Sequence, residues 1–136
     1  MALTMKGQEW TALLPTRKPP PPYRIELPTP PTSNHAYFVA RNRKVLSKEG
    51  RDYKQTVATL LRTARWKPLE GPVSVSFWWR RERKAGDLMN REKLCLDALK
   101  GFAWHDDSQI VEAHFYRSDD RNNPGVTLEV TGAIQP

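Results

Sequence analysis

The heptapeptide VSVSFWW, Val73 to Trp79, alternates apolar with small polar residues and decides how the rest of the chain is read. Successive side chains of a strand point to opposite sides, so Val73, Val75, Phe77 and Trp79 fall on one face and Ser74, Ser76 and Trp78 on the other. Gly71-Pro72 breaks the chain before it. Beyond it comes a basic run, Arg80-Arg81-Glu82-Arg83-Lys84, then Gly86-Asp87-Leu88-Met89, then a helix from about residue 90 to 100. Asn90 is the expected N-cap of that helix. Leu94, Cys95, Ala98 and Leu99 form its buried side, and Gly101 suits the left-handed position after its C-terminus. Val111, Ala113 and Phe115 alternate with Glu112 and His114, as Val126, Leu128 and Val130 do with Thr127 and Glu129. Asn122-Asn123-Pro124-Gly125 is expected to join these two strands as a hairpin turn or loop.

Toward the N-terminus, Tyr53, Val57, Leu60, Leu61 and Ala64 recur at helical spacing and predict a helix over 48–65. Ser47 is its N-cap, and Glu49 sits in the first turn, where a carboxylate meets the positive end of the helix dipole. Residues 36–46 suit a short hairpin through Arg41-Asn42-Arg43. Tyr23, Ile25 and Leu27 alternate with Arg24 and Glu26 as a half-buried strand, ended by the prolines and turn formers of residues 28–34. Pro15 and Pro19 to Pro22 mark residues 1–22 as a proline-rich, disordered tail, leaving 23–136 as one domain. The order is strand, hairpin, helix, strand, helix, two strands. This predicts a mixed α/β (α+β) fold with a small mixed β-sheet and two helices.

Lys and Arg number 22 against 15 Asp and Glu, a formal charge of +7. Such an excess attracts phosphate polyanions at long range, although a well-solvated basic surface has the same composition. No apolar run approaches membrane-spanning length, and the first residues lack the pattern of a signal peptide. Cys95 is the single cysteine, which excludes an intramolecular disulfide and a cysteine metal cluster. The expectation is an intracellular, cytoplasmic protein, with neither a membrane nor a small-molecule substrate as partner.

Within this basic chain the acids are ordered: Asp87 before the second helix, Lys93 and Asp97 one turn apart on it, and Asp106-Asp107 after it. Lys93 and Asp97 have the spacing of an ion pair. If Asp87 to Met89 is extended, positions 87 and 89 share a direction. Asp106 and Asp107, entering a strand, point to opposite sides, so only one of them reaches a common site. Carboxylates from two elements suit Mg2+, a hard cation that takes oxygen ligands and keeps several waters. Taken alone, the same spacing also describes helix caps and solvated turns.

The ordered motifs narrow this. Leu27-Pro28-Thr29-Pro30-Pro31-Thr32-Ser33-Asn34, Leu46-Ser47-Lys48-Glu49-Gly50, Gly71-Pro72-Val73, Gly86-Asp87-Leu88-Met89-Asn90-Arg91 through Lys93, Asp97-Ala98-Leu99 and Asp106-Asp107-Ser108-Gln109-Ile110-Val111 follow one another at set spacings. Over roughly residues 23 to 131 the chain resembles the RusA family of Holliday-junction resolvases. The resemblance implies a homodimer that binds four-way and branched DNA junctions and makes Mg2+-dependent paired nicks, with Mn2+ as a possible substitute. It implies that Asp87, Lys93 and Asp107 are catalytic, and that Asn90 belongs to the same motif. The metal ligands expected are Asp87 and Asp107, with Asp106 or Glu92 as a further donor. Where the family motif has a second Asp, this chain has Met89, whose soft, neutral thioether is a poor Mg2+ ligand. The DNA contacts expected are Arg80, Arg81, Arg83 and Lys84, leading into Asp87, together with Asn90 and Arg91. The alternative is a branched-DNA-binding protein that does not cleave, its metal site degraded at position 89. A purely structural phage or chromosomal protein would explain the charge but not the ordered acids.

Of the remaining residues, Cys95 is expected in the core, His105 in a solvated loop and His35 and His114 at structural or exposed positions. One of Trp78 and Trp79 is expected in the core; the other faces a dimer partner or stacks on an unpaired base.

Overall fold

The structure is a computed structural model that describes residues 23–133, so the expected disordered tail 1–22 lies outside the described residues. The heptapeptide opens β4 (Val73–Arg81), which has a sheet neighbour on each side. Val73, Val75, Phe77 and Trp79 are buried together with Leu128 and Val130 of β6 (Gly125–Gly132). The four-stranded sheet has the order β1-β6-β4-β5, with β1 at Tyr23–Leu27 and β5 at Ile110–Asp119. β6 is antiparallel to both β1 and β4, whereas β4 and β5 are parallel.

The last two strands therefore do not pair with each other: β4 lies between them, and residues 120–124 form a loop instead of a hairpin turn. That loop crosses the C-terminal end of β4, where Asp120 N–H donates to Arg81 O and Arg80 Nε donates to Asn123 O. Parallel strands need a long crossover, and the segment between β4 and β5 supplies it through a helix.

The first predicted helix is α2 (Lys48–Thr63), with Ser47 Oγ accepting from Gly50 N at 3.0 Å and Tyr53, Val57 and Leu61 on its buried face. Ahead of it the hairpin forms β2 (Tyr37–Ala40) and β3 (Arg43–Leu46), a two-stranded sheet of its own. Arg41 and Asn42 occupy its turn at φ 52° and 61°, the left-handed pair that a tight two-residue hairpin requires. One helical turn, α1 (Ser33–Ala36), lies where the sequence predicts only a turn. It brings the Ala36 carbonyl onto α2: Ser47 N donates to it at 2.8 Å, and a Cβ on Gly50 would collide with it.

The crossover helix is α3 (Glu92–Leu99), burying Leu94, Cys95, Ala98 and Leu99. Asn90 does not cap it. A 3-10 turn, Leu88–Asn90, comes first, and Arg91 holds the cap position with no side-chain hydrogen bond. Gly101 takes φ +90°, the expected left-handed residue after the helix. Cys95 is fully buried beside the Tyr53 hydroxyl, and burial pushes its thiol up to about 12, the behaviour of a core residue.

β5 is the outlier of the sheet. It is ten residues long, has a single neighbour among the described residues, and only its Ile110 and Phe115 are even half-buried. Among the described residues, no helix is long and apolar enough to cross a membrane.

Candidate functional site

Asp87 follows Gly86 at the C-terminal end of β4. Arg81 Nη1 donates to Gly86 O at 3.2 Å, and Gly86, at φ +98°, leaves room for the Trp79 indole, which a Cβ would meet at 3.0 Å. Asp87 is exposed and flanks the 3-10 turn without a side-chain cap hydrogen bond, so its carboxylate is open to solvent. The turn ends the extended conformation at Asp87, so Asp87 and Met89 do not alternate as strand residues. Met89 is 61% exposed. One carboxylate oxygen of Glu92 is buried here without a partner, as are Trp79 Nε1 and Arg91 Nε.

Asp106 and Asp107 precede the strand instead of entering it, in a 3-10 turn at Asp107–Gln109. The turn divides the tasks of its four residues. Asp106 is the N-cap, accepting from Ser108 N at 3.2 Å and from the Ser108 hydroxyl, with Lys100 Nζ 3.6 Å away. The Ser108 hydrogen bonds, and then the Lys100 charge, hold its carboxyl below the usual range. Gln109 accepts from His105 N and Asp106 N, and donates to Leu69 O at 2.7 Å and Gly71 O at 2.8 Å. It clamps the turn to the chain entering β4. Asp107 is left exposed, with one oxygen accepting from the indole N–H of the fully buried Trp104 at 2.9 Å. Trp104 as the group that aims Asp107 is invisible in the sequence; it would have read there only as a core aromatic.

Asp87 and Asp107 stand at opposite ends of the β4–β5 pair. Asp87 hangs beside Trp79, which pairs with Arg117, whereas Asp107 leads into Ile110, which pairs with Val73. Six residues separate those levels, roughly 20 Å of strand. Among the described residues, no three His, Cys, Asp or Glu side chains gather in a way that would hold a metal ion. The donors are carboxylate oxygens, the right chemistry for a hard cation, but one chain does not bring them together.

Lys93 Nζ lies 3.5 Å from Asp97 Oδ2, the pairing that its spacing predicts, and 5.5 Å from the Tyr37 ring centroid. The Tyr37 hydroxyl donates to Asp97, and Lys44 Nζ sits 4.9 Å from the same ring. Burial, and then the bond to Asp97, push the Tyr37 phenol well above its ordinary value, so it stays protonated.

The expected DNA cations divide in two. Arg80 donates to Asn123 O, Thr127 Oγ1 and Glu26, and Arg81 pairs with Asp119 at 2.6 Å; both guanidiniums are largely buried. Arg91 donates to Pro30 O and stacks 4.9 Å from the Trp79 ring centroid. Burial lowers the Arg91 pKa. These three hold the fold together. Arg83 and Lys84 are exposed, as is Asn90, whose carbonyl accepts from Ser33 Oγ. His105 pairs with Glu70. Trp79 is the core tryptophan, and Trp78 stacks on Tyr116 at 5.6 Å on the opposite face.

The Arg81 hydrogen bond depresses the Asp119 carboxyl. A depressed carboxylate contributes stability above its unfolded value, about 3.9, and loses it as pH falls through the lower folded one. Asp119→Asn is therefore expected to flatten the decline of Tm below about pH 4. An acid limb identical to that of wild type would show that the pair adds nothing.

The class is an α+β fold: a mixed sheet with exposed acids at both ends of a parallel pair, on a basic chain. Sequence comparison makes the class specific: residues 28–131 match the family model described as Endodeoxyribonuclease RusA. The chain is similar to the crossover junction endodeoxyribonuclease RusA of Escherichia coli K12, 37% identical over 93 residues covering 66% of this chain and 78% of that one. It is 36% identical, over the same shares, to the proteins of that name from Shigella sonnei and Enterobacteria phage 82. The chain belongs to the RusA family.

Proposed function

We propose that this chain is a divalent-cation-dependent nuclease that nicks four-way and branched DNA junctions as a homodimer, each active site drawing Asp87 from one protomer and Asp107 from the other. The observation that carries this reading is the separation of the two acids along β4 and β5, beside a strand whose outer edge is unpaired among the described residues. An edge strand offers unpaired N–H and C=O groups to another strand. Antiparallel pairing of β5 with the same strand of a second copy sets the N-terminal end of one against the C-terminal end of the other. Asp107 of one copy then comes to the end where its partner holds Asp87.

In that arrangement Asp87 and Asp107, with Glu92 at the start of α3 as a further donor, are the residues that would hold Mg2+, or Mn2+ in its place. When bound, the cation polarises a phosphoryl oxygen and lowers the pKa of an attacking water. Trp104 fixes the Asp107 carboxylate, and Lys93, steadied by Asp97, offers a cation to the phosphate. Arg83 and Lys84 meet the backbone next to Asp87 and position it without reading sequence. The test is cleavage of a synthetic four-way junction under Mg2+ and Mn2+ titration. Paired nicks that depend on the cation support the proposal, and binding without nicking at any concentration overturns it.

Met89 carries the second reading, a protein that binds junctions without cutting them. Its side chain is exposed two residues from Asp87, where a carboxylate would add an oxygen donor. Met89→Asp is expected to lower the Mg2+ concentration for half-maximal nicking roughly tenfold, the order of effect seen for groups that tune a metal site. An unchanged titration curve would mean that position 89 faces away from the ion.

A further inference from the structure

The β2–β3 hairpin is an arm that neither the family match nor the acids explain. Among the described residues it pairs with no other strand, and its base is fixed by Tyr37 and Leu46 packed against the core and by Ser47 N on Ala36 O. An isolated two-stranded ribbon is marginal in water, so this anchoring allows the rest to project. Phe38 and Val45 lie opposite each other on one face, 47% and 37% exposed, and Val39 is 76% exposed. Beyond them, Arg41, Arg43 and Lys44 make the tip cationic. Residues 34–47 contain no acid, and among the described residues no carboxylate lies in ion-pair range of these three. An apolar pair backed by cations is a costly surface to leave in water, and the charge selects a polyanion over a second copy of the same basic arm.

The arm also stands beside the candidate site. Its Tyr37 and Lys44 share one cluster with Lys93 and Asp97 of α3, and α1 at its base donates from Ser33 to Asn90 O.

We infer that this hairpin is a DNA-entering arm: Arg41, Arg43 and Lys44 hold backbone phosphates while Phe38 and Val45 wedge against bases opened at the branch point. A two-stranded ribbon fits the major groove, and apolar side chains pressed between base steps unstack them. The inference rests on the junction-binding reading above and adds the surface that distinguishes a branch from a duplex.

The experiment uses the full chain, without divalent cation, and a four-way junction carrying 2-aminopurine at the branch. Wild type is expected to raise its fluorescence. Phe38→Ser/Val45→Ser is expected to lose most of that rise while keeping its affinity for linear duplex. Arg41→Gln/Arg43→Gln is expected to weaken binding to both DNAs and to lower the salt slope of log K by about 1.8, the release expected for two phosphate contacts. All four positions are exposed, and circular dichroism confirms that the variants fold. Variants that match wild type in both readouts overturn the arm alone. A wild type that binds no junction overturns the junction reading and the arm with it. Dissociation of Phe38→Ser/Val45→Ser into monomers on sedimentation would assign the apolar pair to a chain–chain contact and likewise overturn it.

Discussion

An equimolar mixture of Asp87→Asn and Asp107→Asn chains is expected to nick a four-way junction, although neither variant does so by itself. Each homodimer lacks one acid in both of its sites. In a mixed dimer, the Asp107→Asn chain still provides Asp87 and the Asp87→Asn chain still provides Asp107, so one site is whole and the other lacks both. Random pairing makes half of the dimers mixed, each with one of two sites working, so about a quarter of wild-type nicking returns, as single nicks rather than pairs. Asn keeps the size of Asp and an amide oxygen for the Trp104 indole, so both variants should fold and bind the junction. Each alone is expected to lose at least roughly 100-fold in nicking rate, since lost partners one shell further from a metal already cost 10–100-fold. No recovery at any mixing ratio, with mixed dimers verified by mass, would place both acids of a site on one chain.

Gly50→Ala is expected to lower stability, against the ordinary rule for a helix. In a helix interior, Ala is better than Gly by about 1 kcal/mol. Here the added Cβ would collide with the Ala36 carbonyl oxygen, which is backbone and is already held by Ser47 N. Relief requires moving α1 and the hairpin base off α2, and overpacking of this kind costs about 1–3 kcal/mol. Set against propensity this leaves a net loss of up to about 2 kcal/mol, and Tm should fall by up to roughly 8 °C. A Tm equal to or above that of wild type would show that α1 yields freely. Because α1 carries the hairpin, the same substitution should also weaken junction binding.

The fold was legible wherever a local pattern encodes it. Alternation gave β1, β4, β5 and β6, the Ser47 cap and the 3.6-residue stripe gave α2, and Arg41-Asn42-Arg43 marked the hairpin turn. Pairing was not legible, because β5 and β6 follow one another with a turn-rich link, and only the non-local match to β4 reveals that β4 separates them. The burial of Arg80 and Arg81 was hidden for the same reason: their partners Glu26, Thr127 and Asp119 lie 38 to 54 residues away. In the site, the acids could be named from the sequence but not placed. The 3-10 turns at Leu88–Asn90 and Asp107–Gln109 replaced the expected cap and strand entry. Which of Asp106 and Asp107 is available followed from the hydrogen bonds of Ser108 and Gln109.

The crossover between β4 and β5 has a last consequence. The chain passes from Asp87 to Asp107 through α3, eight residues and about 12 Å of helix locked into the core by Leu94, Cys95, Ala98 and Leu99. The helix thereby acts as a ruler inside each protomer. Together with the 3-10 turn before it and the segment 100–106 after it, it spans the interval between the two acids. On the proposed sharing of the acids between copies, that interval would also set how far apart the two cuts fall. Loops outside this crossover are free to vary in length without altering the gauge, whereas one residue added to α3 would turn its buried face by about 100° and, on the proposed mechanism, recalibrate both cuts together.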